Sequence, residues 1–247
     1  MRVPIITYHA IGDGPSPLWT SISALRDQLE AFARAGLESV SISRLVAGNG
    51  ASLPSRPIAI TFDDGYESVL AARPILEDHG FTATLYVVSD HVGKDNRWPG
   101  QPGNVQTSAL LDWEGISSLV ASGWELGSHS RTHARLTALD DRALDEDLEG
   151  SLDEIGRRTG AAVPTFAFPY GATNERLRQR VDRFYAAAVG TRLGYVTDRS
   201  NHFELPRIDA YYLSQRIASR IANPAIGSYF LGRQVLRSVK SFVEGRR

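Results

Sequence analysis

Residues 58–65 read Ile-Ala-Ile-Thr-Phe-Asp-Asp-Gly. A run of buried-strand character leads straight into two adjacent carboxylates, Asp63 and Asp64, and then into Gly65, where the backbone is free to turn sharply. Two neighbouring carboxylates at the end of an apolar strand are costly to bury unless they hold a cation or share a proton. In an α/β barrel the carboxyl ends of the strands form the reactive face. The stretch can be a strand that delivers acid groups to a site, although taken by itself an acidic turn with a capping Asp is the favoured reading.

Outward from this strand, short apolar strands alternate with amphipathic helices. Upstream, Val3–Tyr8 and Glu38–Ile42 are strand candidates. Between them Ser23 is placed as an N-cap, followed by Leu25, Leu29 and Phe32 at helical spacing up to Gly36. Residues 49–57 read as loop. Downstream, helices are predicted from about Tyr66 to His79, over Trp113–Ser122 and over Leu139–Arg158. The later strand candidates are Thr82–Val88, Trp124–Leu126, Phe166–Phe168, Tyr185–Val189 and Phe203–Arg207. Repeated βα units point to a mostly parallel sheet or barrel with helices outside. The longest irregular stretch, His91–Thr107, contains Pro99, Pro102 and three glycines, and long loops in compact domains often carry function. Trp98, within it, is placed either in packing or as a stacking face for a sugar ring.

The chain has 247 residues, 42% hydrophobic and 22% charged, which favours one globular domain over disorder. It has no cysteine, so disulfides, thiolate metal sites and a cysteine nucleophile are excluded. A formal net charge of −1 gives no general attraction to nucleic acid or membranes. No run is apolar and long enough to span a bilayer. The opening MRVPIITYHA reads as a strand rather than a signal segment, so a cytoplasmic location is expected. The domain expected to carry any activity is 1–226. Residues 227–247 hold five basic residues against one acid, Glu244, and Leu231, Val235, Val239 and Phe242 form one stripe at helical spacing. That helix is expected either to pack on the domain or to rest on an anionic membrane surface.

Two further segments carry chemistry. His129-Ser-Arg-Thr-His133 places two imidazoles four residues apart, expected on one face of a helical turn, and neutral imidazole suits borderline divalent ions. Ala167-Phe-Pro-Tyr-Gly171 puts a fixed φ before an aromatic and a free one after it, a turn able to aim a backbone N–H at an oxyanion.

The order TFDDG, HSRTH, PYG, with TYHAI, ARPILEDHGFTATLYVV, GWELGSHSRTH and LPRID around it, resembles the polysaccharide deacetylase (NodB-like) family over most of residues 3–215. The resemblance implies a deformed (β/α) barrel with a divalent metal at its mouth. Asp64, His129 and His133 match the metal ligands, Asp63 the general base and the Tyr170 N–H the oxyanion donor. Zinc is the default metal, and donor type alone also accommodates cobalt, nickel or iron. The implied reaction is hydrolysis of the N-acetyl group of an amino sugar, with a carbohydrate as partner.

Two departures stand out. Ala167 occupies the place where many members carry an Arg that steadies the catalytic Asp, and Arg207 is the candidate substitute. A late Leu-x-His motif that supplies the general acid is missing, and His9 is the candidate acid. The TYHAI start is similar to the branch acting on poly-N-acetylglucosamine, where an N-terminal His fills that role. Hydrolysis of a cyclic amide, an imide or a formamido sugar, and a non-catalytic carbohydrate-binding role, are the competing functions. Two histidines and one carboxylate also suit an iron oxygenase, against which Asp63 and the resemblance argue.

Overall fold

The computed structural model describes residues 1–15, 17–47, 53–223, 225–230 and 232–234. β1 (Ile5–Tyr8), β2 (Ala10–Ile11) and β3 (Trp19–Thr20) lead into α1 (Ile22–Arg34), then β4 (Glu38–Ser39), α2 (Ile42–Val46) and β5 (Pro57–Phe62). The chain continues through α3 (Ala72–Glu77), β6 (Thr84–Val87), α4 (Trp113–Ala121), β7 (Glu125–Ser128) and α5 (Asp141–Thr159). It goes on through β8 (Thr165–Ala167), α6 (Glu175–Val181), β9 (Ala187–Leu193), β10 (Leu205–Asp209) and α7 (Gln215–Ala218).

One eight-stranded sheet runs in the order β1-β10-β9-β8-β7-β6-β5-β4, with every ladder parallel. The same edge of β5 pairs with β4 at Pro57 and Ile58 and with β1 over Ala59–Phe62. The β1–β5 ladder closes the ring, which makes the deformed (β/α) barrel that the family resemblance implies.

Strand residues point alternately to opposite faces, and the barrel sorts them into two cores. Val3, Ile5, Ala59, Ala167, Ala187 and Leu205 belong to the interior cluster. Ile6, Tyr8, Ile58, Phe62 and Phe166 pack outward under the helices. Small residues suit the narrow interior. At Gly127 a Cβ would lie 2.3 Å from the Tyr86 ring, so only glycine lets that ring fill the centre. On the outer face Phe62 stacks between Tyr8, at 5.2 Å, and Trp124, at 5.1 Å, pairs that add about 0.5–1.5 kcal/mol each beyond area burial. The interior series continue upward as Ile5-Thr7-His9, Ala59-Thr61-Asp63, Gly127-His129 and Leu205-Arg207. The period of two that fills the barrel thus also carries polar groups to its mouth.

Several expected boundaries shift for local reasons. The N-cap of α1 is Ser21, whose Oγ accepts from Ala24 N–H at 3.2 Å, and Ser23 lies inside the helix. The strand expected to reach Ile42 stops at Ser39, because Ser41 caps α2 by accepting from Arg44 N–H. The single helix expected from Tyr66 is a 3₁₀ turn, Glu67–Ala71, followed by α3. Tyr66 stays extended, bridged to Leu110, while Glu67 N–H donates to Ala109 O at 3.0 Å. The apolar stripe Leu231, Val235, Val239 and Phe242 lies outside the described residues. Just before most of it, Gln234 accepts from Leu193 N–H at 2.9 Å. Among the described residues no helix is long and apolar enough to cross a membrane.

Candidate active site

The carboxyl ends of β5, β7, β8 and β10, with His9 just beyond β1, converge on one polar cluster. Asp63 and Asp64 leave β5 in different directions because Asp64 adopts φ 69° and Gly65 φ 76°. Each carboxylate therefore meets its own partners.

Asp63, 2% exposed, receives a two-pronged hydrogen bond from Arg207, Nη1 to Oδ1 at 2.7 Å and Nη2 to Oδ2 at 2.6 Å. Arg207 is itself fixed by donating from Nε to Gly190 O at 2.8 Å and from Nη1 to Thr61 Oγ1 at 3.2 Å. A register irregularity between β9 and β10 lies where Arg207 enters, and such bulges re-aim side chains. Burial pushes the Asp63 carboxyl up, but the Arg207 charge and hydrogen bonds outweigh it and hold the group below the usual carboxylate range. His9 Nε2 lies 3.9 Å from Asp63 Oδ2.

Asp64 Oδ1 sits 3.3 Å from both His129 Nε2 and His133 Nε2. Burial again raises its carboxyl, and hydrogen bonds from the two imidazoles carry it well below normal. For the histidines the balance differs. Burial lowers both, but the Asp64 hydrogen bond and nearby carboxylate charges leave His129 raised, whereas His133 stays lowered. His129 Nδ1 donates to Ala167 O at 2.8 Å, which leaves Nε2 as the ligating nitrogen. One donor atom from each of Asp64, His129 and His133 falls within 4.8 Å of the others. A carboxylate with two imidazoles, all buried, is a donor set for a borderline divalent ion with coordination positions left over.

The His129–His133 segment is not the expected helical turn. Ser130 has φ 68° and His133 φ 56°, so the imidazoles converge through a tight loop. Ser130 N–H donates to Ser128 Oγ at 3.1 Å, and His133 N–H to Ser130 Oγ at 2.8 Å. Helix α5 clamps the outside of the loop. Asp147 accepts from Arg131 N–H at 2.9 Å and from Thr132 Oγ1 at 2.8 Å, and Ser151, one turn on, meets Ser128 Oγ at 2.7 Å. Burial raises the Asp147 carboxyl despite those donors.

Tyr170 occupies the left-handed region, φ 59°, in a turn closed by Gly171 N–H to Phe168 O at 2.9 Å. A Cβ at Gly171 would lie 2.0 Å from Thr191 Oγ1, so glycine is required there twice over, by space and by φ 64°. Left-handed non-glycine residues are uncommon and gather at functional sites. All four of those described, Asp64, Ser130, His133 and Tyr170, belong to this cluster.

A cavity of about 360 Å³ opens above it, bordered by His9, Asp63, Asp64, Trp98, His133 and Tyr170 among others. Arg207 stands behind Asp63 and borders a smaller void of about 70 Å³. Trp98 is 4% exposed and stacks on His133 with ring centroids 4.1 Å apart. One indole face is thus committed to a metal-ligand candidate.

Sequence reasoning missed Tyr66, Asn96, Trp19 and Asp147. The Tyr66 hydroxyl lies against the Asp64 carboxylate, and burial and that charge push its pKa up. Asn96 donates to Tyr66 Oη at 3.1 Å and to Gln106 O at 3.0 Å, pinning the long loop to the site. Tyr66 directly follows Asp64-Gly65, a signal that proximity alone could have supplied. The others come from elements whose approach only the fold determines.

The sequence model of the polysaccharide deacetylase family matches residues 50–189, more than half of the chain. The chain belongs to the polysaccharide deacetylase family. The match spans Asp63, Asp64, His129, His133 and Tyr170 and leaves out His9 and Arg207. The poly-beta-1,6-N-acetyl-D-glucosamine N-deacetylase of Staphylococcus aureus is 23% identical over 171 residues, 63% of this chain and 54% of that protein. The chain therefore spans about half the length of this relative. A Streptococcus pyogenes deacetylase solved in complex with acetate superposes with a TM-score of 0.79 at 20% identity, covering 91% of this chain and 99% of that one. A polysaccharide deacetylase from Bacillus cereus gives 0.76 at 23% identity, covering 90% of this chain and 69% of its own. These superpositions establish the family's barrel fold.

Proposed function

We propose that this protein hydrolyses the N-acetyl group of an N-acetylglucosamine unit in a glycan, releasing acetate and a free amine. The observation that carries the reading is the division of labour between two adjacent buried carboxylates. Asp63 is held by Arg207, and Asp64 by two imidazoles. Asp64, His129 and His133 would hold a divalent metal, zinc by default, which when bound supplies a Lewis acid and makes water more acidic.

Asp63, kept as a carboxylate by Arg207, takes a proton from the attacking water. The water oxygen bonds to the amide carbonyl carbon, and the Tyr170 N–H stabilises the resulting oxyanion. His9, beside Asp63, donates a proton to the nitrogen as the C–N bond breaks. The electron pair of that bond leaves with the amine, and the carbonyl fragment departs as acetate. Tyr66 and Trp98 keep Asp64 and His133 in place.

The family match and the similarity to a poly-N-acetylglucosamine deacetylase support the substrate class. The test is acetate release from N-acetylglucosamine oligomers by metal-loaded protein, with His129→Ala and Asp63→Asn as controls. Release that disappears in both controls is expected. A fully metallated protein that releases no acetate would overturn the substrate class and turn attention to cyclic amides and formamido sugars.

A further inference from the structure

The charged groups of the cavity all lie at its floor. Asp63, Asp64, His9, His129 and His133 are there, and no described lysine or arginine borders the space. The walls are proline, aliphatic, aromatic and neutral amide or hydroxyl groups. Pro17, Leu18 and Trp19 come from one segment, and Pro102 and Val105 from the long loop, which also brings the amides of Gln101, Asn104 and Gln106.

Trp19 is an aromatic wall residue whose position is built into the fold without serving the metal ligands, and unlike the fully buried Phe168 it is half-exposed. Its backbone pairs with Ala10 in the β2–β3 ladder, fixed by Ala10 N–H to Leu18 O at 3.0 Å and Gly12 N–H to Thr20 O at 2.9 Å. Trp19 therefore sits beside the residue that follows His9. Gly14 presses on its indole so closely that a Cβ there would fall 2.2 Å from Cδ2, and one at Gly12 would lie 3.5 Å from Cζ3. The glycine backbone holds the ring from behind, and the half-buried indole borders the cavity. Trp98, by contrast, gives one face to His133.

We propose that Trp19 is the sugar-stacking, specificity-determining residue of this site, and that walls with no cation among the described residues restrict the enclosed unit to a single uncharged pyranose. The proposal rests on the deacetylase reading above. An indole offers a flat apolar surface to the C–H face of a pyranose, while the wall amides suit its hydroxyls. The volume of about 360 Å³ is at the small end of the range for ligand sites, about 300–1,000 Å³, and suits one ring with its acetamide. A carboxylate or phosphate on that ring would be desolvated against these walls with only neutral donors and no counter-charge among the described residues. Its remaining cationic contact would be the metal, where it competes with the acetamide. Carboxylated amino sugars are thus inhibitors of this site rather than substrates.

The test compares acetate release by the metal-loaded full chain from neutral N-acetylglucosamine oligomers and from oligomers whose N-acetylated sugar bears a 3-O-lactyl carboxylate. Preference for the neutral series of at least about tenfold in kcat/KM is expected, with the carboxylated series inhibiting competitively. Trp19→Ala should raise KM about tenfold with kcat little changed, the pattern of lost uniform binding. Trp19→Phe should restore most of it, and zinc affinity by chelator competition should stay the same. Equal turnover of both series, or an unchanged KM in Trp19→Ala, overturns the proposal. Because the deacetylase reading can fail separately, calorimetric binding of the neutral oligomer is also measured on Asp63→Asn protein with and without Trp19→Ala. Binding weakened about tenfold by the second substitution supports the stacking role even if no acetate is released, and equal binding refutes it.

Discussion

Replacing Arg207 with Met would leave Asp63 buried beside the candidate metal centre without its guanidinium. Arg207 and Asp63 are 3% and 2% exposed and share two short hydrogen bonds. Breaking a buried pair by removing one partner costs about 3–5 kcal/mol. The chain can limit that cost by protonating Asp63. With Arg207 present the Asp63 carboxyl lies below its usual value, whereas burial alone pushes it above. An arginine next to an aspartate lowers its pKa by about 1–3 units, and each unit corresponds to about 1.4 kcal/mol. The acid limb of kcat/KM should therefore move to higher pH by about 1–3 units. The rate deficit of Arg207→Met should be largest on the acid side and shrink as pH rises.

Stability must follow the same sign. In the wild type the depressed carboxyl contributes stability above its unfolded pKa, and this is lost as pH falls through the folded value. In the variant the folded value is raised, so its destabilisation grows from about pH 4 upward. Urea midpoints of the two proteins should differ more at pH 8 than at pH 4. Arg207→Lys keeps the charge but not the fork, and should fall between them. A uniform loss of rate at every pH, with an unmoved acid limb, would refute the claim that Arg207 sets the ionisation of the base.

Asp147→Ala frees Arg131 and Thr132 from α5, and zinc affinity by chelator competition should drop about 10- to 100-fold, as for loss of other groups that orient ligands. Gly171→Ala drives a methyl into Thr191 at an unfavourable φ. It should cost about 1–3 kcal/mol in thermal unfolding, with part regained in the Gly171→Ala/Thr191→Gly double variant. His9→Ala should lower kcat on acetamides by about 10²–10⁴ yet spare an activated aryl acetate, whose leaving group needs no proton. Equal losses on both substrates would remove His9 from the acid role.

The parallel βα architecture was legible because its evidence is local, and the family resemblance narrowed it to a barrel. Apolar strands of four to six residues such as Ile5–Tyr8 and Pro57–Phe62 alternate with capped helices, and that pattern admits few topologies. Asp63, Asp64, His129 and His133 were legible as neighbours in short motifs. Arg207 could be nominated from sequence, but its bond to Asp63 spans 144 positions and depends on β10 lying next to β1. The loop between the histidines was misread because spacing of four suggests a helix. Buried hydroxyls and Asp147 instead hold Ser130 and His133 in left-handed conformations. Trp19 escaped notice because nothing in its own segment indicates that Gly14 will back its ring.

The closure of the ring by β1 against β5 and β10 has a consequence for how the protein matures. Asp64, His129 and His133 come from the contiguous β5–β7 part of the sheet, whereas Asp63 acquires Arg207 and His9 only once the first and last strands have met. Long-range strand pairing is the slow event in folding. During refolding, metal uptake should precede the appearance of turnover, and the interval between them would time the sealing of the barrel.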